Sequence, residues 1–383
     1  MNATQDSDEC ACGMPRWLLA TALAYKGVHG PLAVAVCILG SVANCLNLVV
    51  LRELRAAPVN RILSWLAMVD VVVMLLYLPF AYEVYIDPER QWRSYLPGWA
   101  VFLLLHMQLA QVLHTASVLL TLLLATWRCL TLAQLTPGRG AGRRTADSDT
   151  ALTVALIGCL ALAVVLCVPS FLCFTLTQRS SDEWPHTRHL ITLSELAQRD
   201  GGALYHFHFW FNGCVLKLLP CLLLSALSLC LVRALLKAHQ HSQKLLTTPE
   251  NFPMIQIRLS GEENSSRGKR ISQRTDRTTR MLVAVTLLFL ATELPQAVLG
   301  VLSGMKGPCF FQTCYQVLGE MLDLLALFNG AVNFLLYCAM SRQFRATFCH
   351  LFLPWFEPPE AVPPPGTTAV QAPVPSEVNS TVV

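Results

Sequence analysis

The stretch Glu320-Met-Leu-Asp-Leu-Leu-Ala-Leu-Phe-Asn-Gly-Ala-Val-Asn-Phe-Leu-Leu-Tyr-Cys-Ala-Met-Ser-Arg-Gln-Phe-Arg-Ala-Thr-Phe348 decides the fold. Its first twenty or so residues are apolar enough to cross a bilayer. Yet they carry Asp323, Asn329 and Asn333. Polar groups at membrane depth are costly, so they face a bundle interior and point to function. Arg342 and Arg345 follow among Phe344, Phe348 and Phe352. That pattern predicts a short amphipathic helix lying along the inner membrane surface. A polar last span followed by a basic surface helix closes a seven-helix bundle.

Working outward, six more apolar runs precede this one. They are read at about 28–51, 62–82, 100–132, 150–176, 204–236 and 278–302, with the seventh at 315–340. The chain of 383 residues is 54% hydrophobic and only 14% charged, against a usual charged share of about a quarter. The expectation is therefore an all-α membrane protein: a seven-helix unit over 28–352, an exterior tail over 1–27, a disordered inner loop over 237–277, and a disordered tail over 353–383 rich in Pro, Ser and Thr. Met1 to Cys12 is polar and acidic, with no cleavable signal peptide.

Charge sets the orientation. Of 28 Lys and Arg, 19 fall on the side of the first, third and fifth connections and the carboxy-terminal tail; 8 fall on the other side, and Lys217 lies in the membrane. The positive-inside bias puts the amino terminus outside, at the plasma membrane. Asn2, in Asn2-Ala3-Thr4, is then a glycosylation acceptor. Most of the fifteen cysteines sit inside apolar runs as small hydrophobes. Exterior pairs are Cys309 with Cys314, and Cys10 with Cys12, the latter too close to favour each other. Cys349, just after the basic surface helix, is a candidate for palmitoylation.

Two constellations carry chemistry. Asp70, Ser117, Asn329 and Asn333 sit at depths that can converge. A carboxylate, a hydroxyl and amides suit a sodium ion, or else form a hydrogen-bond network that packs helices. That ion is the one cofactor the chain suggests. In the outer halves of the spans lies a second polar set: Gln111, His114, Glu293, Gln296, Glu320 and Asp323, beside Phe209 and Trp210. An unpartnered carboxylate at mid-bilayer is expensive, so Glu293 needs Lys217 or His114 as partner, or else a proton. In the functional reading, Glu293 and Asp323 receive a cationic or amidated peptide end, an Arg pairing with carboxylate in a fork. Arg128 ends the third span, where a lone Arg either snorkels or serves as a switch.

These residues resemble the rhodopsin-like G-protein-coupled receptors. The likeness rests on Asn44, on Leu66-Ala67-Met68-Val69-Asp70, on Arg128, on Pro220 and Pro295, and on Asn333-Phe334-Leu335-Leu336-Tyr337. The departures are Trp127-Arg128-Cys129 for the usual acid-Arg-Tyr, Glu293 for the usual Trp before the sixth-span proline, and Phe334 for proline. Leu103 stands where most members carry a third-helix cysteine, and residues 177–205 hold none to pair with it. The set is similar to the invertebrate myosuppressin and FMRFamide-type peptide receptors. Gln111-Val112-Leu113-His114-Thr115, Lys217-Leu218-Leu219-Pro220-Cys221, Thr292-Glu293-Leu294-Pro295-Gln296 and Leu327-Phe328-Asn329-Gly330-Ala331 carry that likeness.

The resemblance implies a receptor for an extracellular amidated neuropeptide, RFamide-like, that couples to heterotrimeric G proteins, with the inhibitory class favoured. Arrestin and receptor kinases are further partners, alongside membrane lipid, and no nucleic acid is expected. Arg128, Pro295, Asn333 and Tyr337 are the expected moving parts. With Trp127 unable to restrain Arg128, basal signalling is expected unless Asp276 or another inner acid substitutes. An enzyme is not expected, since no nucleophile–base or metal spacing appears. The rivals are a receptor-fold scaffold, a receptor for a non-peptide ligand, and a small-solute transporter using Asp70, Lys217, Glu293 and Asp323; no inverted repeat supports the last.

Overall fold

The computed structural model describes residues 15–86, 96–134, 146–179, 188–247, 284 and 286–353. Seven helices are long and apolar enough to cross a membrane: Ala20–Glu53, Pro58–Ile86, Pro97–Thr131, Asp149–Cys173, Ala203–Ala234, Thr286–Lys306 and Val317–Ala339. The first span packs on the second and seventh, the third on the second, fourth and fifth. Leu39, Val154, Val165, Leu222 and Leu335 are each at least 60% exposed on the outer surface of the bundle. The buried polar residues Asn44, Asn47, Asp70, Lys217 and Glu293 point inward. With hydrocarbon outside, inward polar groups can find partners only in neighbouring helices.

The helices outrun their apolar cores. The first begins at Arg16 rather than near Val28, inside the stretch expected as tail. The fourth begins at Ala146. The fifth continues to Thr247, so residues 237–247 are helical where a disordered loop was expected. Hydropathy marks the bilayer crossing, whereas helix formation continues into water wherever nothing breaks the i→i−4 ladder. The rest of the 237–277 loop, the tail from 354, Asn2 and Asp276 lie outside the described residues.

The connection after the fourth span is a further departure from a plain polar loop. β1 (Phe174–Arg179) pairs antiparallel with β2 (Arg188–Leu193), Phe174 opposite Leu193 and Arg179 opposite Arg188. The alternation Phe174-Thr175-Leu176-Thr177 on β1 and the β-branched Ile191 and Thr192 on β2 favour this hairpin. Thr192 Oγ1 donates to Thr177 Oγ1 across it at 3.1 Å. Ser194 then accepts the amide of Ala197 and donates to the Leu172 carbonyl at 2.6 Å. The hairpin is thus anchored at its base by capping, with no cysteine on either strand.

At the opposite face, the expected surface helix is present as Arg342–Phe352, opened by Ser341 accepting the Phe344 amide. Arg345 donates to the Cys338 and Ala339 carbonyls, the orphan acceptors at the end of the seventh span. Phe344 is 1% exposed and clusters with Val50, Leu51 and Tyr337. Phe334, in the place of the usual proline, packs edge-on to Phe344 and Phe348 at 6.0 and 5.7 Å.

Candidate functional site

Lys217 sits in an irregular turn. Phe211–Leu218 is wound as a wide helix, and the Leu219 amide reaches back five residues to the Cys214 carbonyl. Pro220 follows immediately; its ring clashes with the carbonyl four residues back and it brings no N–H, so the ladder is displaced there. The same segment meets the sixth span at a glycine pair. A Cβ on Gly213 would lie 2.8 Å from the Val301 nitrogen, and one on Gly300 would lie 3.2 Å from the Gly213 Cα. Only two residues without side chains permit that approach.

The close approach brings a charge cluster together. Lys217 Nζ donates to Glu293 Oε2 at 2.9 Å and to Gln296 Oε1 at 2.6 Å. His114 Nε2 of the third span stands 2.9 Å from Glu293 Oε1. Gln296 Nε2 donates on to the Leu322 carbonyl of the seventh span at 3.2 Å. Glu293 is 0% exposed. Of the alternatives raised by sequence, both Lys217 and His114 are its partners. The hydrogen bonds of both Lys217 and His114 go to Oε2, at 2.9 and 3.1 Å, and Oε1 has charge proximity to His114 but no hydrogen bond of its own, so the meeting of opposite charges is what offsets this burial. One turn above His114, the Gln111 amide nitrogen is buried without a hydrogen-bond partner.

Asp323 is the contrasting carboxylate. It lies deep in the bundle, within electrostatic reach of Glu320 and Lys217. Tyr77, Tyr85 and Tyr315 feel its charge as well. Yet its surface is exposed, and no hydrogen bond is formed to it among the described residues. Its carboxylate is thus left exposed while sharing its electrostatics with these neighbours. Glu320, one turn earlier, stands 3.7 Å from Lys26 of the first span.

An aromatic wall comes within electrostatic reach of Asp323 through Tyr315. Phe209 stacks near Phe311 at 4.9 Å and Tyr315 at 6.5 Å; Phe311 and Tyr315 are 5.2 Å apart. Trp210, grouped with Phe209 from sequence, lies elsewhere. It is 42% exposed on the outer surface and covers Gly304 of the sixth span. A helical step of one residue turns a side chain by about 100°, so adjacent aromatics cannot both face inward.

Sequence reading missed a second aromatic layer between the first three spans. His29 Nε2 lies 3.0 Å from the Tyr77 hydroxyl, and the Tyr25 hydroxyl lies 2.9 Å from His29 Nδ1. Phe80 stacks on His106 at 4.7 Å. The signal was present in the spacing of Tyr25 and His29, four residues apart on one helix face.

Deeper toward the carboxy-terminal face, Asp70, Ser117, Asn329 and Asn333 line one cavity with Arg128, Thr286 and Tyr337. Asn333 Nδ2 donates to Asp70 Oδ2 at 2.8 Å, and Ser117 Oγ lies 3.5 Å from Oδ1. Both partners turn hydrogens toward the carboxylate, so as arranged it is satisfied as a hydrogen-bond network. The oxygens present are still the hard donors a sodium ion takes. Arg128 interacts electrostatically with Tyr337; among the described residues no carboxylate pairs with it. Trp127 instead packs with Ile62, Leu66 and Leu152. Pro295 lies within the sixth span, between Glu293 and Gln296. Cys309 and Cys314 are both disulfide-bonded. Cys349 is free and partly exposed on the surface helix.

Comparison with known proteins agrees with this architecture. Residues 32–354 match the profile of the serpentine type 7TM GPCR chemoreceptor Srw. The chain is 33% identical over 359 residues to the G-protein coupled receptor dmsr-1 of Caenorhabditis elegans, covering 86% of this chain and 69% of that one. It is 26% identical to the sex peptide receptor of Drosophila melanogaster, over 82% of this chain and 69% of the relative. It is 24% identical to sex peptide receptor-related protein 2 of Caenorhabditis elegans, over 80% and 67%. A profile match across most of the chain, on seven spans with an inward polar core, leaves one conclusion: the chain belongs to the serpentine 7TM GPCR chemoreceptor Srw family, and is a multi-pass G-protein-coupled receptor of the rhodopsin-like class rather than an enzyme.

Proposed function

We propose that this receptor recognises an extracellular peptide whose cationic, amidated end enters the bundle and pairs with Asp323. The observation that carries the reading is the division of labour between two acids. Glu293 is buried and already held by Lys217 and His114, whereas Asp323 is open and lacks a hydrogen-bond partner among the described residues. An Arg guanidinium is the side chain best matched to such a carboxylate. Phe209, Phe311 and Tyr315 offer a wall for a neighbouring aromatic, and the Gln111 amide offers a donor to a peptide carbonyl. One relative is named for a peptide, the sex peptide, which supports the ligand class without naming the ligand.

In this proposal the amino-terminal face is outside at the plasma membrane. The Arg128 face opens to a heterotrimeric G protein of the inhibitory class, with arrestin and receptor kinases as later partners. Ligand shifts the population toward the open form only through its differential affinity for that form. Pro295 lets the sixth span bend, and Arg128, Asn333 and Tyr337 rearrange at the inner end.

The test is G-protein activation in cells against a panel of short carboxy-amidated peptides with Arg, citrulline or norleucine before the terminal residue. The expected outcome is a response to the Arg peptides that falls about 30-fold in potency in Asp323→Asn, corresponding to about 2 kcal/mol for a charged hydrogen bond. Surface expression stays normal. Equal responses to Arg and norleucine peptides would sink the assignment of Asp323.

A further inference from the structure

Several hydroxyls in these spans return their hydrogen to their own helix. Ser225 donates to the Cys221 carbonyl, Thr121 to that of Ser117 and Thr115 to that of Gln111, each one turn back. That is the usual local choice for Ser and Thr in a helix. Ser228 and Thr286 do otherwise. Ser228 Oγ of the fifth span and Thr286 Oγ1 of the sixth lie 2.6 Å apart, a short O–H···O hydrogen bond between two buried side chains. Either hydroxyl can donate and the other then accepts. Both side chains line the cavity that holds Arg128 and Tyr337.

The place of this pair in the bundle gives it consequence. Toward the amino-terminal face the fifth and sixth spans share the Gly213–Gly300 contact, the bond of His206 to the Gly304 carbonyl at 2.8 Å, and the bonds of Lys217 to Glu293 and Gln296. About two helical turns inward of Glu293, or about 10 Å, the Ser228–Thr286 pair is the innermost hydrogen bond between these two spans among the described residues. Between the two levels lie Cys221, Leu224 and Phe289, clustered with Val118 and Ala125 of the third span. Apolar contact of this kind is non-directional, whereas a hydrogen bond fixes one geometry. The fifth span is also held to the third at this level: Cys129 Sγ donates to the carbonyl of Leu227, the residue before Ser228, at 3.5 Å. Among the described residues no hydrogen bond or ion pair joins the sixth span to the third inward of His114 and Glu293. An outward swing of the sixth span therefore leaves the fifth in place and separates Thr286 from Ser228.

We propose that Ser228 and Thr286 form a neutral latch across the inner ends of the fifth and sixth spans, made in the closed receptor and broken when the Arg128 face opens. The inference rests on the reading that this face opens to a G protein. The latch supplies a restraint at a level where no carboxylate pairs with Arg128 among the described residues, and a weaker one. An interhelical hydrogen bond inside a membrane changes an equilibrium by about threefold on average, so the latch lowers unliganded opening without abolishing it. Breaking it strands neither hydroxyl, because each can turn to a carbonyl of its own helix one turn back, as Ser225 does. A contact so easily broken and remade suits a part that must open and close.

The test compares the full-length receptor in lipid nanodiscs, without any peptide, with Ser228→Ala, Thr286→Val and the exchanged pair Ser228→Thr/Thr286→Ser. Amide hydrogen–deuterium exchange is read over residues 286–292, with residues 300–306 as the internal reference. Basal nucleotide exchange on purified heterotrimeric G protein is read on the same samples. Both single variants are expected to exchange faster over 286–292 with 300–306 unchanged, and to raise basal nucleotide exchange about threefold. The exchanged pair keeps both hydroxyls and restores both readouts. Unchanged deuterium exchange over 286–292 would overturn the latch while leaving G-protein coupling untouched. Faster exchange over both segments, or an exchanged pair that behaves like Ser228→Ala, would assign the effect to packing and overturn it as well. If the wild type activates the G protein and the single variants do no more, the latch does not restrain signalling and the proposal falls. If 286–292 loosens as expected but neither wild type nor variant activates any G protein, the coupling reading fails and the contact between the two spans is upheld.

Discussion

The two ends of this bundle treat buried charge in opposite ways. Toward the amino-terminal face, the fully buried Glu293 is held by Lys217 and His114 from two other helices. Toward the carboxy-terminal face, Arg128 lines a cavity with about 750 Å³ of empty space, part of it open to the exterior, and no carboxylate among the described residues restrains it. One end is locked by charge and the other is left unlocked. A receptor so built has its third, fifth and sixth spans tied together near the proposed ligand site, with no such tie at Arg128 among the described residues. The difference shows where rigidity is placed: in the half of the bundle where the ligand is proposed to bind, and away from the half proposed to open.

Breaking the lock has the largest expected effect. Lys217→Met leaves Glu293 buried with only His114 nearby and costs about 3–5 kcal/mol, seen as a lower midpoint of thermal unfolding in detergent and fewer receptors at the surface. Adding Glu293→Gln removes the stranded charge and recovers most of that loss. If the double variant is no more stable than Lys217→Met, the pair is not what holds these spans.

The glycine contact beside the lock comes next. Gly213→Ala forces a methyl against the Val301 backbone at 2.8 Å and costs about 1–3 kcal/mol through overpacking. Gly98→Ala meets nothing within 4 Å and serves as the control. Equal melting temperatures for the two variants would remove the argument that close approach of the fifth and sixth spans builds the cluster.

The unlocked end is sharpened by basal signalling. Without ligand, nucleotide exchange on the G protein is expected several-fold above mock-transfected membranes, and Arg128→Ala abolishes it. A well-expressed receptor that is silent without ligand would show that a residue outside the described ones restrains Arg128.

The smallest effect concerns the intervening network. Replacing sodium by N-methylglucamine is expected to change agonist affinity by about two- to five-fold, equivalent to about 0.5–1 kcal/mol, and Asp70→Asn removes the difference. Identical affinities in both salts would leave Asp70 as a hydrogen-bond acceptor alone.

Much of the frame was legible because bilayer crossing is a one-dimensional property. Runs of apolar residues located the seven spans, and Arg342 with Phe344 announced the surface helix that the structure places at Arg342–Phe352. Helix ends were less legible. The first helix starts at Arg16 and the fifth runs to Thr247, because water-exposed turns extend a helix without any hydropathy signal. The hairpin over 174–193 was missed for a similar reason: each strand is only six residues long, and alternation is confined to the start of the first.

Within the site, residue type alone marked Lys217, Glu293, His114 and Asp70 as costly in lipid, and therefore as inward-facing. It did not say which of them would meet. The choice of Lys217 for Glu293 was made by the glycine contact of the fifth and sixth spans and by the wide turn before Pro220, and that of His114 by the third span's place beside the fifth. Trp210 and Phe209 look alike in sequence, and only helix rotation sends one outward and the other into the aromatic wall. By itself the sequence determined the class of solvent, the number of crossings and the residues that had to be hidden from lipid. The tertiary structure decided which acid is closed by partners and which remains open, because pairing depends on distances between helices, and no spacing along one helix contains them.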